Sequence, residues 1–165
     1  GGPRAEALHL SVEHLWPQSM FAHRLPMLSD LHHMLPAFDR PNEVRDRLPF
    51  DEVPDAAVKY RNAFGARMGG GAFEPPDTAK GRVARGLLYF LVRYGDADIV
   101  PAGLAGTFWN SRIETYLRWN RRFPPDAAER ARNDAVAGFQ GTRNPFVDDP
   151  GLADRVGLQG FRLVR

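Results

Sequence analysis

The spacing of apolar residues changes period along this chain, and that change bounds the fold. Over residues 8–13, Leu8, Leu10 and Val12 alternate with His9, Ser11 and Glu13, the two-residue period of a half-buried strand, and Pro17 ends it. After a loop over 17–27, Leu31, His33 and Leu35 alternate with His32 and Met34, which predicts a second short strand closed by Pro36. Asp39 can then cap a short helix, with Pro41 tolerated in its first turn and Asn42 just inside. From residue 77 onward the period is helical. Val83, Leu87, Leu88, Leu91 and Tyr94 share one face of a helix from Asp77 or Thr78 to Tyr94, stopped by Gly95.

A further helix is expected over about 107–121, with Trp109, Ile113, Tyr116 and Leu117 inward and Arg112, Arg118, Arg121 and Arg122 outward. Another starts at Asp126, whose spacing to Glu129 suits a capping box, and runs to about Phe139 before Gly141. Gly65, the glycines at 69–71, Pro75 and Pro76 predict a long surface loop over about 64–76. The fold class is therefore α+β: one mainly helical domain over 1–165 around a strand, loop, strand, helix motif at about 8–48, with a helical remainder over 77–150 and a C-terminal tail over 151–165.

All five histidines fall in the first 33 residues, in the company of carboxylates: Glu13-His14 and Asp30-Leu31-His32-His33. Imidazole near neutral pH serves as base, acid or metal ligand. The chain has no cysteine, which excludes disulfides and thiolate metal sites. A structural zinc site from His9, His14, His32 and His33 is disfavoured, because a strand sends His32 and His33 to opposite faces. Of the 22 basic residues only Lys59 and Lys80 are lysines, a bias that suits a phosphate-bearing partner or reflects genome composition. No apolar run approaches a membrane span, and no membrane partner is expected. The opening Gly1-Gly2 reads as a mature or trimmed start.

A strand ending in an acid and a histidine, returning through a second strand to an amide-bearing helix, can gather a carboxylate, an imidazole and an amide oxygen. Oxygen donors of this kind suit a hard cation such as Mg²⁺, and an imidazole beside it can deprotonate water. At this point the chain resembles the bacterial endonuclease I family of non-specific nucleases, with its ββα-metal (His-Me) finger. The match runs through Glu13-His14-Leu15-Trp16-Pro17-Gln18-Ser19, Met27-Leu28-Ser29-Asp30-Leu31-His32-His33-Met34-Leu35-Pro36, then Asn42 and Arg45. It continues through Arg82-Val83-Ala84-Arg85-Gly86-Leu87-Leu88-Tyr89-Phe90, Arg93-Tyr94, Trp119-Asn120, Glu129, Arg132-Asn133 and Gln140-Gly141-Thr142-Arg143-Asn144-Pro145-Phe146.

The resemblance implies an endonuclease that hydrolyses phosphodiester bonds of DNA, and also of RNA, and leaves 5′-phosphate ends. It makes His14 the general base, and Glu13 and Asn42 the ligands of one Mg²⁺, with Mn²⁺ or Ca²⁺ as substitutes. Arg45 is expected in the catalytic site on phosphate and Arg24 on the nucleic-acid backbone, while Arg143 and Asn144, in the C-terminal signature, would either grip that backbone or pack over the active site. His32 would support the ligands, or with His33 bind the metal, which would favour Mn²⁺ or Zn²⁺. The resemblance further implies a monomer that is secreted or periplasmic. Departures are Arg47 in place of an asparagine, Pro41 and Glu43 around Asn42, Asp149 in place of a histidine, and a short stretch before the first strand. The alternatives are a nucleic-acid-binding module whose catalysis has lapsed, and the nuclease domain of a larger toxin or effector.

Overall fold

The computed structural model of the protein describes residues 9–164. Leu8, and with it the start of the first expected strand, lies outside the described residues. Strand β1 (Leu10–His14) pairs antiparallel with β2 (Met34–Phe38), placing Glu13 opposite Leu35 and His14 opposite Met34. The second strand therefore starts three residues later than the alternation predicts. Asp30 causes the offset: its carboxylate accepts a hydrogen bond from His32 N at 3.0 Å and folds Leu31–His33 into a tight 3-10 turn. Pro36 does not close β2 but sits within it, as an edge strand permits for a residue without an N–H. Helix α1 (Asp39–Arg45) follows at once and carries Asn42, as expected.

The segment expected as a long loop holds two strands. β3 (Val58–Arg61), β4 (Arg67–Gly69) and β5 (Ala72–Glu74) form an antiparallel sheet in sequence order. Gly70 and Gly71, at φ +59° and +79°, are the two-residue connection between β4 and β5, a turn that needs left-handed backbone at both positions.

Helix α2 (Asp77–Tyr94) is the axis of the molecule, with Val83, Ala84, Leu87, Leu88, Phe90 and Leu91 buried. It packs against α3 (Ile113–Arg122), where Ile113, Tyr116 and Leu117 face inward and Arg118, Arg121 and Arg122 outward. Residues 105–112 just before it are wound as π and 3-10 turns in place of the expected α-helix, and Arg112 is largely buried there. Helix α4 (Ala127–Gln140) begins at Asp126, whose side chain accepts from Glu129 N, and stops at Gly141 in left-handed conformation. α5 (Pro145–Asp148) and α6 (Leu152–Gly160) complete the chain. The expected tail is thus a packed element: Ala153, Phe161 and Leu163 are buried, and the Trp109 indole donates to Phe161 O at 2.7 Å. Among the described residues no helix is long and apolar enough to cross a membrane.

Two features fix α2 against its neighbours. At Gly86 an added Cβ would stand 2.4 Å from Leu15 Cδ1 and 3.2 Å from His32 O, so the helix passes flush beneath the strand and turn. Arg85, 1% exposed, donates to both carboxylate oxygens of Glu129 at 2.7 and 2.5 Å and to Phe123 O at 2.8 Å. A buried pair of this kind adds little net stability, but losing one partner strands the other charge away from water. Replacing Arg85 by Met is expected to lower urea stability by about 3–5 kcal/mol, and Arg85→Met with Glu129→Leu to recover much of that loss.

Candidate active site

Successive side chains of a strand point to opposite faces, so β1 sends Glu13 inward toward α1 and His14 to the other side. The strand end is held where Leu15 N donates to His33 O at 2.9 Å. On its own face His14 is gripped at both ring nitrogens: Nε2 lies 3.0 Å from Leu28 O, and Nδ1 lies 2.8 Å from the Gln18 side-chain nitrogen. A carbonyl only accepts, so Nε2 carries the proton and donates it there. Nδ1 then bears the lone pair and accepts from the Gln18 amide.

On the inner face Glu13 pairs with Arg45 of α1. Burial pushes the Glu13 carboxyl up and the Arg45 guanidinium down, and each charge draws the other partly back. The arginine keeps its charge at neutral pH all the same. Its remaining donors go to His14 O at 2.8 Å, Leu15 O at 2.5 Å and Leu48 O at 2.9 Å, and its plane lies over Phe50. Arg45, expected on phosphate, lines the same cavity as Glu13 and Asn42 but is 3% exposed, and its donors go to the protein's own acceptors. Arg45 positions Glu13 and the strand end.

Asn42, one helical turn earlier, directs its amide nitrogen to Ser11 Oγ at 3.0 Å and Val12 O at 3.4 Å, which turns its amide oxygen the other way. Glu13 and Asn42 line one cavity of about 290 Å³. One carboxylate and one amide oxygen fit a cation that prefers oxygen and keeps several waters, as Mg²⁺ does. No larger ligand cluster accompanies them: among the described residues no group of three or more His, Asp or Glu is arranged to hold a metal.

His32 and His33 lie in the interior on different sides of their turn. His32 Nε2 contacts Thr142 O at 2.7 Å and its ring packs on Tyr89; burial lowers its pKa, which the Thr142 carbonyl opposes. His33, 0% exposed, donates through Nε2 to Met27 O at 2.7 Å and packs on Phe90, and its Nδ1 has no hydrogen-bond partner. The T-shaped contact of its ring with that of His14, centroids 5.3 Å apart, makes it a wall behind His14 and keeps it from the cavity of Glu13 and Asn42.

The turn itself hangs on Asp30. Its carboxylate accepts from Tyr89 Oη at 2.9 Å, Tyr94 Oη at 2.7 Å and Gln140 Nε2 at 2.8 Å as well as from His32 N. Burial raises its pKa, yet these four donors win and hold it below the usual carboxylate range.

The arginines expected on nucleic acid divide. Arg24 is exposed, bonded to Phe21 O at 3.0 Å and to Asp98 O. Arg143 is exposed between Asp148 and Asp134, whose carboxylates raise its pKa; surface pairs of this type are weak and yield readily to a phosphate. Asn144 does not reach the surface. Its side chain caps α5 by accepting from Phe146 N at 3.0 Å, and donates to Arg85 O at 3.0 Å. Gln18 and Leu28 O carry the signal that residue types missed. Gln18 lies four places beyond His14 past Pro17, but a backbone carbonyl leaves no mark in a sequence.

A family model described as Endonuclease I matches residues 3–151. The chain belongs to the Endonuclease I family. Two relatives of this Endonuclease I chain are extracellular ribonucleases, of Bacillus amyloliquefaciens at 33% identity and Bacillus subtilis (strain 168) at 34%, each over 87% of this chain and 52% of the relative. An extracellular deoxyribonuclease of Aeromonas hydrophila is 27% identical over 74% of this chain and 50% of the relative. The chain thus spans about half the length of the curated relatives it matches.

Burial depresses the pKa of His33 to about 4. In the unfolded chain a histidine takes its proton at about 6.5. The contribution is therefore complete above about pH 6.5 and is lost as pH falls toward 4, by about 3 kcal/mol in all. Urea denaturation across that window should show the loss, and His33→Gln, whose amide can still donate to Met27 O but does not titrate, should make the slope shallower by a similar amount.

Proposed function

We propose that this Endonuclease I chain is a metal-dependent endonuclease that hydrolyses phosphodiester bonds of DNA and RNA with little regard for sequence. The observation that carries the reading is the arrest of His14 in one tautomer by Leu28 O, one residue from a carboxylate that shares a cavity with the Asn42 amide. His14 Nδ1 takes the proton of the attacking water once that water displaces the Gln18 amide, and the imidazolium formed keeps its Nε2–H on Leu28 O. Glu13 and Asn42 would hold Mg²⁺, with Mn²⁺ or Ca²⁺ as substitutes. When bound, the cation supplies positive charge against the phosphate and the departing 3′-oxygen, so that 5′-phosphate ends result.

Arg45 keeps Glu13 aimed, with its donors held by the protein's own acceptors. Arg24 and Arg143 supply exposed cationic contacts to the backbone, which do not distinguish bases. That one set of relatives is named for ribonuclease and another for deoxyribonuclease supports a site that reads phosphate and sugar loosely. Their extracellular naming supports export of this chain, and a site drawn from one chain's own residues supports activity as a monomer.

The test is degradation of plasmid DNA and of a folded RNA with Mg²⁺, with chelator, and with His14→Ala. Wild type is expected to cut both, chelator to stop cleavage, and His14→Ala to lower the rate by about 10²–10⁴-fold while melting like the wild type. Equal cleavage by wild type and His14→Ala overturns the proposal.

A further inference from the structure

The cavity that Glu13 and Asn42 share is mostly apolar, and a metal with its waters uses only its polar end. The rest is walled by Leu35, Phe38, Phe64, Phe73, Pro75 and Val83. Phe64 is 58% exposed, a cost for a large aromatic unless something covers it. It is not loosely held. Asn62 Oδ1 accepts from Phe64 N at 3.0 Å and from Ala66 N at 2.9 Å, and Gly65, at φ +95°, lets the chain turn between them. The ring stacks on Phe38 with centroids 5.3 Å apart and planes 21° apart. A braced aromatic pair therefore lines a mostly apolar recess of the same cavity that the two oxygen donors line.

We infer that this recess receives one unstacked nucleobase of the strand being cut, lying against the Phe38–Phe64 pair while its phosphate lies at Glu13 and Asn42. The inference rests on the nuclease reading and adds to it a base subsite. Three observations support it. Base and phosphate are joined through one sugar, and the recess and the donors are parts of one cavity. Aromatic faces stack on any base, so such a subsite adds affinity without sequence preference. The volume, about 290 Å³, is at the low end of small-ligand clefts and suits a single base with its sugar. A base inside a duplex would first have to leave its stack, at a cost of a few kcal/mol, so unpaired strands are the favoured substrates.

Two labelled single strands of equal length and charge separate the base from the backbone: oligo-dT, and the same phosphodiester chain with every base removed. With His14→Ala protein, so that neither strand is cut, oligo-dT should bind about tenfold more tightly than the abasic strand. Adding Phe64→Ala should erase that difference and leave abasic binding unchanged, whereas Phe64→Tyr should preserve it. Equal weakening of both strands by Phe64→Ala, no weakening of either, or failure of both strands to bind overturns the base subsite. Failure of the nuclease reading shows separately, as absence of cleavage by the wild-type chain on any nucleic acid while the dT preference persists.

Discussion

The guanidinium of Arg45 joins the two elements that carry the site. It reaches from the last turn of α1 to the carboxylate of Glu13 and to the carbonyls of His14 and Leu15, so the end of β1 cannot shift without breaking several charge-assisted bonds in a region shielded from water. Everything that gives the site its form follows from that tie. Glu13 is aimed, Asn42 lies one turn back on the same helix, and His14 is left on the opposite face with Leu28 O and Gln18 as its contacts. An arginine suits this place because its planar fork serves several acceptors at once, which a lysine could not do.

A second bracing runs from the far end of the chain. Arg132 of α4 donates to Leu31 O and Met34 O at 2.7 and 2.9 Å, Gln140 donates to Asp30, and Thr142 O meets His32. The segment 129–146 therefore acts on the candidate site from behind, by fixing the turn that carries His33 under His14. Residues that resemble a C-terminal signature in sequence are, in space, the floor of the N-terminal motif.

The long elements were legible in sequence because period and caps agree: Asp77 to Tyr94 before Gly95, and Asp126 to Gln140 before Gly141. The β3–β5 sheet was not, because two of its strands have three residues each, too short to show alternation, and its turn glycines look like those of a loop. At residues 31–33 a side-chain bond from Asp30 overrode the alternation. Within the site, the fold brings Glu13 and Asn42 to one cavity. The burial of Arg45 and Asn144 left no mark in the sequence for one shared reason: a polar residue's partners are set by the fold, and here each satisfies buried backbone.

Gly86 gives the arrangement a dimension that no contact expresses. A glycine within a helix forgoes about 1 kcal/mol of helical propensity relative to alanine. Here that sacrifice sets a depth: Leu15 and the backbone of His32 settle into the notch where a methyl group would stand. Leu15 directly follows the Glu13-His14 pair, so the height of the site above the central helix is encoded by a missing side chain. The molecule's most active-looking residues are thus levelled by the one residue beneath them that has nothing to offer but space.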